Sequence, residues 1–146
     1  MAYIIHHEVH STASIDKVWH LLSDASTWSS WTMIRRTTLE ETAPTGDPNG
    51  VGALRHFASG PRASRERVVA FEPPTHLAYE LVSGLPITGY RADVTLSSSP
   101  TGGTSIVWHA EYSGRPRLVG AALHFFLSWF LHDTAKRLAR AAMHSA

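Results

Sequence analysis

An α+β fold is predicted by the sequence: a curved antiparallel sheet of about seven strands on one long C-terminal helix, with two short helices after the first strand. Three observations predict it. From Arg117 the chain runs without proline to its end, amphipathic over roughly 27 residues, after a breaker at Ser113-Gly114-Arg115-Pro116. Between residues 33 and 112, short alternating segments are punctuated about every ten residues by proline or glycine. Ahead of this pattern, a helical period appears between Ser14 and Trp31.

Taken in order, Tyr3 to Ser11 alternates loosely and reads as the first strand. Ser14 is placed as an N-cap, with Asp16 in the first turn where the helix dipole favours negative charge. Ile15, Val18, Trp19 and Leu22 recur at helical spacing, so a short amphipathic helix is expected over 15–23. A second, broken helix covers Ala25 to Trp31. Strands are then expected over 33–42, 51–59, 64–71, 77–82, 90–97 and 104–112. The connections carry Pro44, Gly50, Gly60-Pro61, Glu72-Pro73-Pro74, Gly84 and Pro86, and Pro100 to Gly103 makes a hairpin turn.

The C-terminal helix has two characters. Gly120, His124, Leu127, Leu131, Ala135, Leu138 and Ala142 form one apolar stripe. The opposite side is polar only in its second half, at Asp133, Lys136, Arg137, Arg140 and His144. In its first half it carries Phe125, Phe126, Trp129 and Phe130. One helix about 40 Å long covers the length of a small domain, but it does not fill the concavity of a strongly curved sheet. A cavity between the two is expected.

Composition narrows the function classes. The chain has 146 residues, enough for one domain (1–146) with a real core, and a formal net charge of +1, so no field points to nucleic acid. Ten histidines make it clearly cationic only below about pH 6. With no cysteine, disulfides, thiolate metal sites and cysteine nucleophiles are excluded. No signal peptide opens the sequence, and the longest apolar run, Leu118 to Leu131, is shorter than the roughly 18 residues of a spanning helix. A cytoplasmic protein without a transmembrane segment is expected.

The stretch from Ala13 to Asp24 (ASIDKVWHLLSD), followed by Trp28 and Trp31, resembles the opening of the START-like, or SRPBCC, superfamily. Gly50 to Arg55 (GVGALR), Arg65 to Val69 with Phe71 to Tyr79 (FEPPTHLAY), and Gly102-Gly103-Thr104 before Val107-Trp108 resemble its later strands and hairpins. The nearest group is the polyketide cyclase/dehydrase-like one, with the Bet v 1-like helix-grip fold. The resemblance covers nearly the whole chain. It implies a seven-stranded sheet gripping the C-terminal helix around a hydrophobic ligand cavity, and it does not imply one activity.

Candidate chemistry is sparse. His6, Glu8 and His10 share a strand face, and two histidines with a carboxylate suit zinc. The helical zinc motif needs two residues after the glutamate, whereas only Val9 intervenes here. A solvated polar face opposite Ile5, His7 and Val9 is expected instead, with no metal and no cofactor. A buried arginine among Arg55, Arg65 and Arg67 would hold a carboxylate or enolate oxygen. Outer-face arginines paired with Glu66 or Glu80 explain the same residues. Arg65 and Arg67 share parity with Val69 and Phe71, which favours inward; Glu66 shares parity with Val68 and Ala70. Tyr79, Tyr90, Trp108 and Tyr112 lie on the more apolar strand faces and are assigned inward, where core and cavity wall coincide. His109 and Glu111 are assigned outward. His124, on the helix stripe, suits a general acid or base if a cavity reaches it, and is otherwise a core histidine.

The expected ligand wall is Trp31, Arg55, Phe57, Arg67, Tyr79, Tyr90, Trp108, Tyr112, His124, Leu127 and Leu131. Three readings remain open. The first is a binding protein for a small hydrophobic molecule (lipid, polyketide or other aromatic metabolite). The second is a polyketide cyclase/dehydrase-type enzyme with Arg67, His124 and Tyr79 as its acid–base candidates. The third is a dimeric interaction module whose cavity is filled by its own side chains. Phe125, Phe126, Trp129 and Phe130 would meet a second subunit in a homodimer, or pack under the loops around Trp28, Trp31 and Leu85 at the cavity mouth; a membrane surface is the third reading of these four, to which a net charge of +1 gives little help.

Overall fold

The computed structural model describes residues 2–114 and 117–144, the side chains of 114 and 117–120 left aside. Arg115 and Pro116 of the expected breaker, and the burial of Gly120, fall outside the described residues. The elements run β1 (Ala2–Ser11), α1 (Ile15–Ser23), a 3-10 turn (Ala25–Thr27), α2 (Trp28–Trp31), β2 (Arg36–Glu41), β3 (Leu54–Ser59), β4 (Arg62–Glu72), β5 (His76–Ser83), β6 (Ile87–Ser98), β7 (Thr104–Gly114) and α3 (Arg117–Met143). The seven strands form one sheet in the order β1-β7-β6-β5-β4-β3-β2, and every pairing is antiparallel. This is the helix-grip fold that the family resemblance implied, with the element order read from the sequence.

Local chemistry accounts for the boundaries. Ser14 caps α1 through its side chain, which accepts from the Lys17 amide, and Val18, Trp19 and Leu22 form the buried side of that helix. The strand expected from Val51 starts only at Leu54, because Gly52 sits at φ +97°, a turn conformation that L side chains rarely adopt. Its amide still donates to the Val68 carbonyl at 2.9 Å, so the turn is stitched to β4.

The position of α3 matters most for function. The helix packs chiefly on β1, and to a lesser and equal extent on β7 and α1. Ser11 Oγ donates to the Ala139 carbonyl at 2.8 Å, His7 Nε2 lies 3.0 Å from the Ser128 carbonyl, and the His7 and His132 rings stack at 4.5 Å. Leu127, Leu131, Ala135, Leu138 and Ala142 of the predicted stripe are buried, and His124 is half-buried. Seven strands at about 4.8 Å spacing span about 30 Å, some three helix diameters. A helix seated over β1 and β7 therefore does not cover the concave side of β3 to β5, where Trp28 of the short α2 meets Phe57.

Two histidines give the fold opposite pH dependences. Burial, then the neighbouring His132, holds His7 below the ordinary histidine value near 6.5. Its stabilising contribution is present above that value and is lost as pH falls. His76 is bonded to Glu72 at 2.6 Å and Asp93 at 2.7 Å, and the Glu72 bond, then that to Asp93, raises its pKa. Its contribution is present below 6.5 and is lost as pH rises through the raised value. Melting temperatures across this range are expected to decline less on the acid side in His7→Gln and less on the alkaline side in His76→Gln. Unchanged profiles would remove these residues from the pH response.

Candidate functional site

A cavity of about 450 Å³ lies between the concave side of β3 to β7 and the flank of α3. The strands contribute Phe57, Ser64, Glu66, Tyr79, Tyr90 and Trp108, and the helix contributes Phe126, Leu127, Phe130, Leu131 and Thr134. Trp28 of α2 and Leu85 of the β5–β6 connection complete the wall. Alternation along β5 to β7 sends Tyr79, Tyr90 and Trp108 inward, and all three are at most 5% exposed.

The polar interior of the wall is an ion pair that the sequence did not reveal. Arg55 and Glu66 face each other across β3 and β4, and Arg55 Nη2 donates to Glu66 Oε1 at 2.9 Å. Arg55 is 1% exposed. Its guanidinium carbon stands 4.8 Å from the Trp28 ring, 5.1 Å from Phe57 and 4.7 Å from Tyr79, so three aromatic faces enclose the cation. Arg55 Nε is buried without a hydrogen-bond partner among the described residues. Burial pushes the Glu66 carboxyl above its ordinary value, and the charge and hydrogen bond of Arg55 oppose that shift.

Trp108 Nε1 donates to Tyr79 Oη at 3.2 Å, on the same stretch of wall. Burial raises the Tyr79 phenol, with the Glu66 charge adding to the shift, and burial raises Tyr90 as well. Both phenols therefore stay protonated near neutral pH. They offer hydrogen bonds and do not act as phenolate bases.

Not every expected wall residue reaches the cavity. Phe57, Tyr79, Tyr90, Trp108, Leu127 and Leu131 line it, and Arg55 stands directly behind it. Trp31 is buried one layer away, against Trp28 at 5.0 Å. Tyr112 and His124 form their own pair, Oη to Nδ1 at 2.9 Å, with Tyr3 stacked on Tyr112 at 5.1 Å. Burial, then Tyr3, pushes the Tyr112 phenol up to about 12. That cluster is on the β1–β7 side, where α3 is seated, and not among the cavity-lining residues.

Arg67 is the clearest correction. The expectation placed it inward with Phe71, but its side chain turns to the outer face, donating to the Gly52 carbonyl at 2.7 Å and pairing with Glu41 at 3.4 Å. Arg65 likewise pairs with Glu40 at 3.0 Å, so the outer arginines use β2 carboxylates and not Glu66 or Glu80. The cause is a register shift in β4 between Val68 and Ala70. A bulge inverts the alternation. Phe71, opposite buried Leu77, therefore shares its face with Val68 and Glu66 instead of Arg67.

On β1, His6 Nδ1 lies 3.1 Å from His109 Nδ1, and Glu8 accepts from Ser105 Oγ at 2.7 Å. No group of three or more His, Asp or Glu among the described residues is arranged to hold a metal ion. On α3, Phe125, Phe126 and Trp129 are 81%, 52% and 53% exposed, whereas Phe130 is half-buried against the cavity. The surplus aromatics thus divide between a cavity rim and an exposed cluster. No helix among the described residues is long and apolar enough to cross a membrane.

The family described as polyketide cyclase/dehydrase and lipid transport matches residues 4–143. The chain belongs to that family. This polyketide cyclase/dehydrase-type chain also shares its fold with solved structures of low sequence identity. A START superfamily protein from Mycobacterium smegmatis superposes with a TM-score of 0.81 at 13% identity, covering 97% of each chain. The protein XoxI from Bacillus cereus gives 0.77 at 18% identity, covering 96% of this chain and 95% of the other. Norcoclaurine synthase from Thalictrum flavum, solved with dopamine and hydroxybenzaldehyde, gives 0.74 at 17%, covering all of this chain and 89% of that one. Among curated proteins none matches the sequence.

Proposed function

We propose that this protein encloses one small hydrophobic molecule (a lipid, polyketide or other aromatic metabolite) between its sheet and α3, and holds it without turnover. The observation that carries this reading is the 450 Å³ space walled by Trp28, Phe57, Tyr79, Tyr90 and Trp108 and by the apolar flank of α3. Spaces of that size and lining suit small ligands. Family membership supports the same class. Of the groups considered for acid–base work, Arg67 faces outward and His124 pairs with Tyr112. Only Tyr79 is at the cavity, and its phenol is held neutral by burial. That arrangement favours binding over cyclase chemistry.

Native mass spectrometry of the purified protein is expected to show a co-purifying apolar adduct. Ser64→Trp, which projects an indole into the cavity from a half-buried position, is expected to lose it. If the wild-type protein carries no adduct and no aromatic or lipid compound raises its melting temperature, the reading fails.

The exposed cluster of Phe125, Phe126 and Trp129, with Phe130 beside it, is proposed as a homodimer contact, because exposed apolar clusters of this kind mark interaction surfaces. Phe126→Ala combined with Trp129→Ala should shift a sedimentation profile toward the monomer. A wild-type profile that is monomeric at all concentrations would end the dimer reading.

A further inference from the structure

Among the described cavity-lining residues Glu66 is the only acid, and its environment restricts what can lie against it. It is seated on β4 directly opposite Arg55, and one of its oxygens takes the Arg55 Nη2 hydrogen. Its other oxygen has no protein partner among the described residues. About 13% of the side chain remains open, and Glu66 belongs to the cavity wall. Arg55, by contrast, is not itself at the wall: its charge is spent on Glu66 and on the faces of Trp28, Phe57 and Tyr79. A ligand entering this end of the cavity therefore meets a carboxylate oxygen framed by aromatic rings, and no free cation. The other charged lining residue, Arg62, is exposed at the start of β4.

We propose that Glu66 is the polar anchor of the cavity and that the ligand is a flat aromatic molecule presenting a hydroxyl hydrogen to it, in preference to an anionic lipid such as a fatty acid. The assignment deepens the binding reading above and rests on it. A carboxylate in a partly dry site makes stronger hydrogen bonds than a neutral acceptor. A ligand without a donor would displace water from that oxygen and leave it unmatched, which sites of this kind penalise heavily. An anionic headgroup would meet like charge where the effective dielectric is low. The aromatic wall supplies the apolar area, and Glu66 supplies the orientation.

The test uses three compounds with one ring system, pyrene, hydroxypyrene and pyrenecarboxylate, titrated by fluorescence into the full chain at about pH 7. Hydroxypyrene is expected to bind roughly tenfold more tightly than pyrene, and pyrenecarboxylate more weakly than pyrene. In the Arg55→Met/Glu66→Leu double variant, whose apolar pair preserves the packing, pyrene should still bind and the hydroxypyrene advantage should disappear. Glu66→Gln, which keeps an acceptor without the charge, should reduce the advantage and relieve the penalty on pyrenecarboxylate. Equal binding of pyrene and hydroxypyrene to the wild-type protein, or tightest binding of pyrenecarboxylate, would overturn the Glu66 assignment and leave the cavity reading standing. Failure of all three compounds to bind would overturn the cavity reading itself, and the assignment with it.

Discussion

Replacing Glu66 alone with leucine is expected to destabilise the fold by about 3–5 kcal/mol, the cost of stranding one member of a buried ion pair. The partner left behind is Arg55, 1% exposed and paired with no other carboxylate among the described residues. The rings of Trp28, Phe57 and Tyr79 around it soften the loss, since each such contact contributes about 0.5–2 kcal/mol, but they do not neutralise the charge. Adding Arg55→Met should restore most of the stability, because a well-packed apolar pair is often as stable as the buried ions it replaces. Urea denaturation of the two single variants and the double variant gives the coupling between the sites. Additive losses, with no recovery in the double variant, would show that the pair is not one unit.

Trp108→Ala is expected to cost about 3–5 kcal/mol, the usual range for emptying a buried tryptophan site. Trp108 is fully buried on β7, flanked by Val94 of β6 and His7 of β1, and its ring meets Trp28 edge-on at 6.0 Å. Against a typical total stability of about 5–15 kcal/mol, such a loss leaves little reserve. Trp108→Phe keeps most of the area but loses the hydrogen bond to Tyr79, so about 1 kcal/mol is expected from that bond. Denaturation midpoints with unchanged slopes would report both values. A Trp108→Ala variant as stable as the wild type would mean that the core closes over the vacated space, and the cavity wall would have to be redrawn.

These expectations rest on residues of unequal legibility. Ser14 as a cap, the helical spacing of Val18, Trp19 and Leu22, and the inward parity of Tyr79, Tyr90 and Trp108 were all readable from the chain. Each depends on a period contained within one segment. The sequence places Gly52 in a strand, and the structure places it in a turn, because glycine is compatible with both a strand and a positive-φ turn. The sequence leaves Glu66 open between an outer-face partner for an arginine and an inward residue, and nothing in β4 alone decides. Its parity with Val68 was visible, but the competing parity of Arg67 with Phe71 was equally visible.

The sequence by itself determined the kinds and order of the elements, the apolar stripe of α3 and the aromatic character of the wall, since local periodicity and breakers encode these directly. The tertiary structure decided three other matters. The bulge after Val68 set which face of β4 turns inward, because a bulge is a property of two paired strands. The β3–β4 register placed Arg55 against Glu66. The seat of α3 on β1 and β7 left His124 with Tyr112 and gave the cavity to Leu127, Phe130, Leu131 and Thr134. Register and helix seating follow from contacts between residues far apart in the chain, and no period within a single segment carries them.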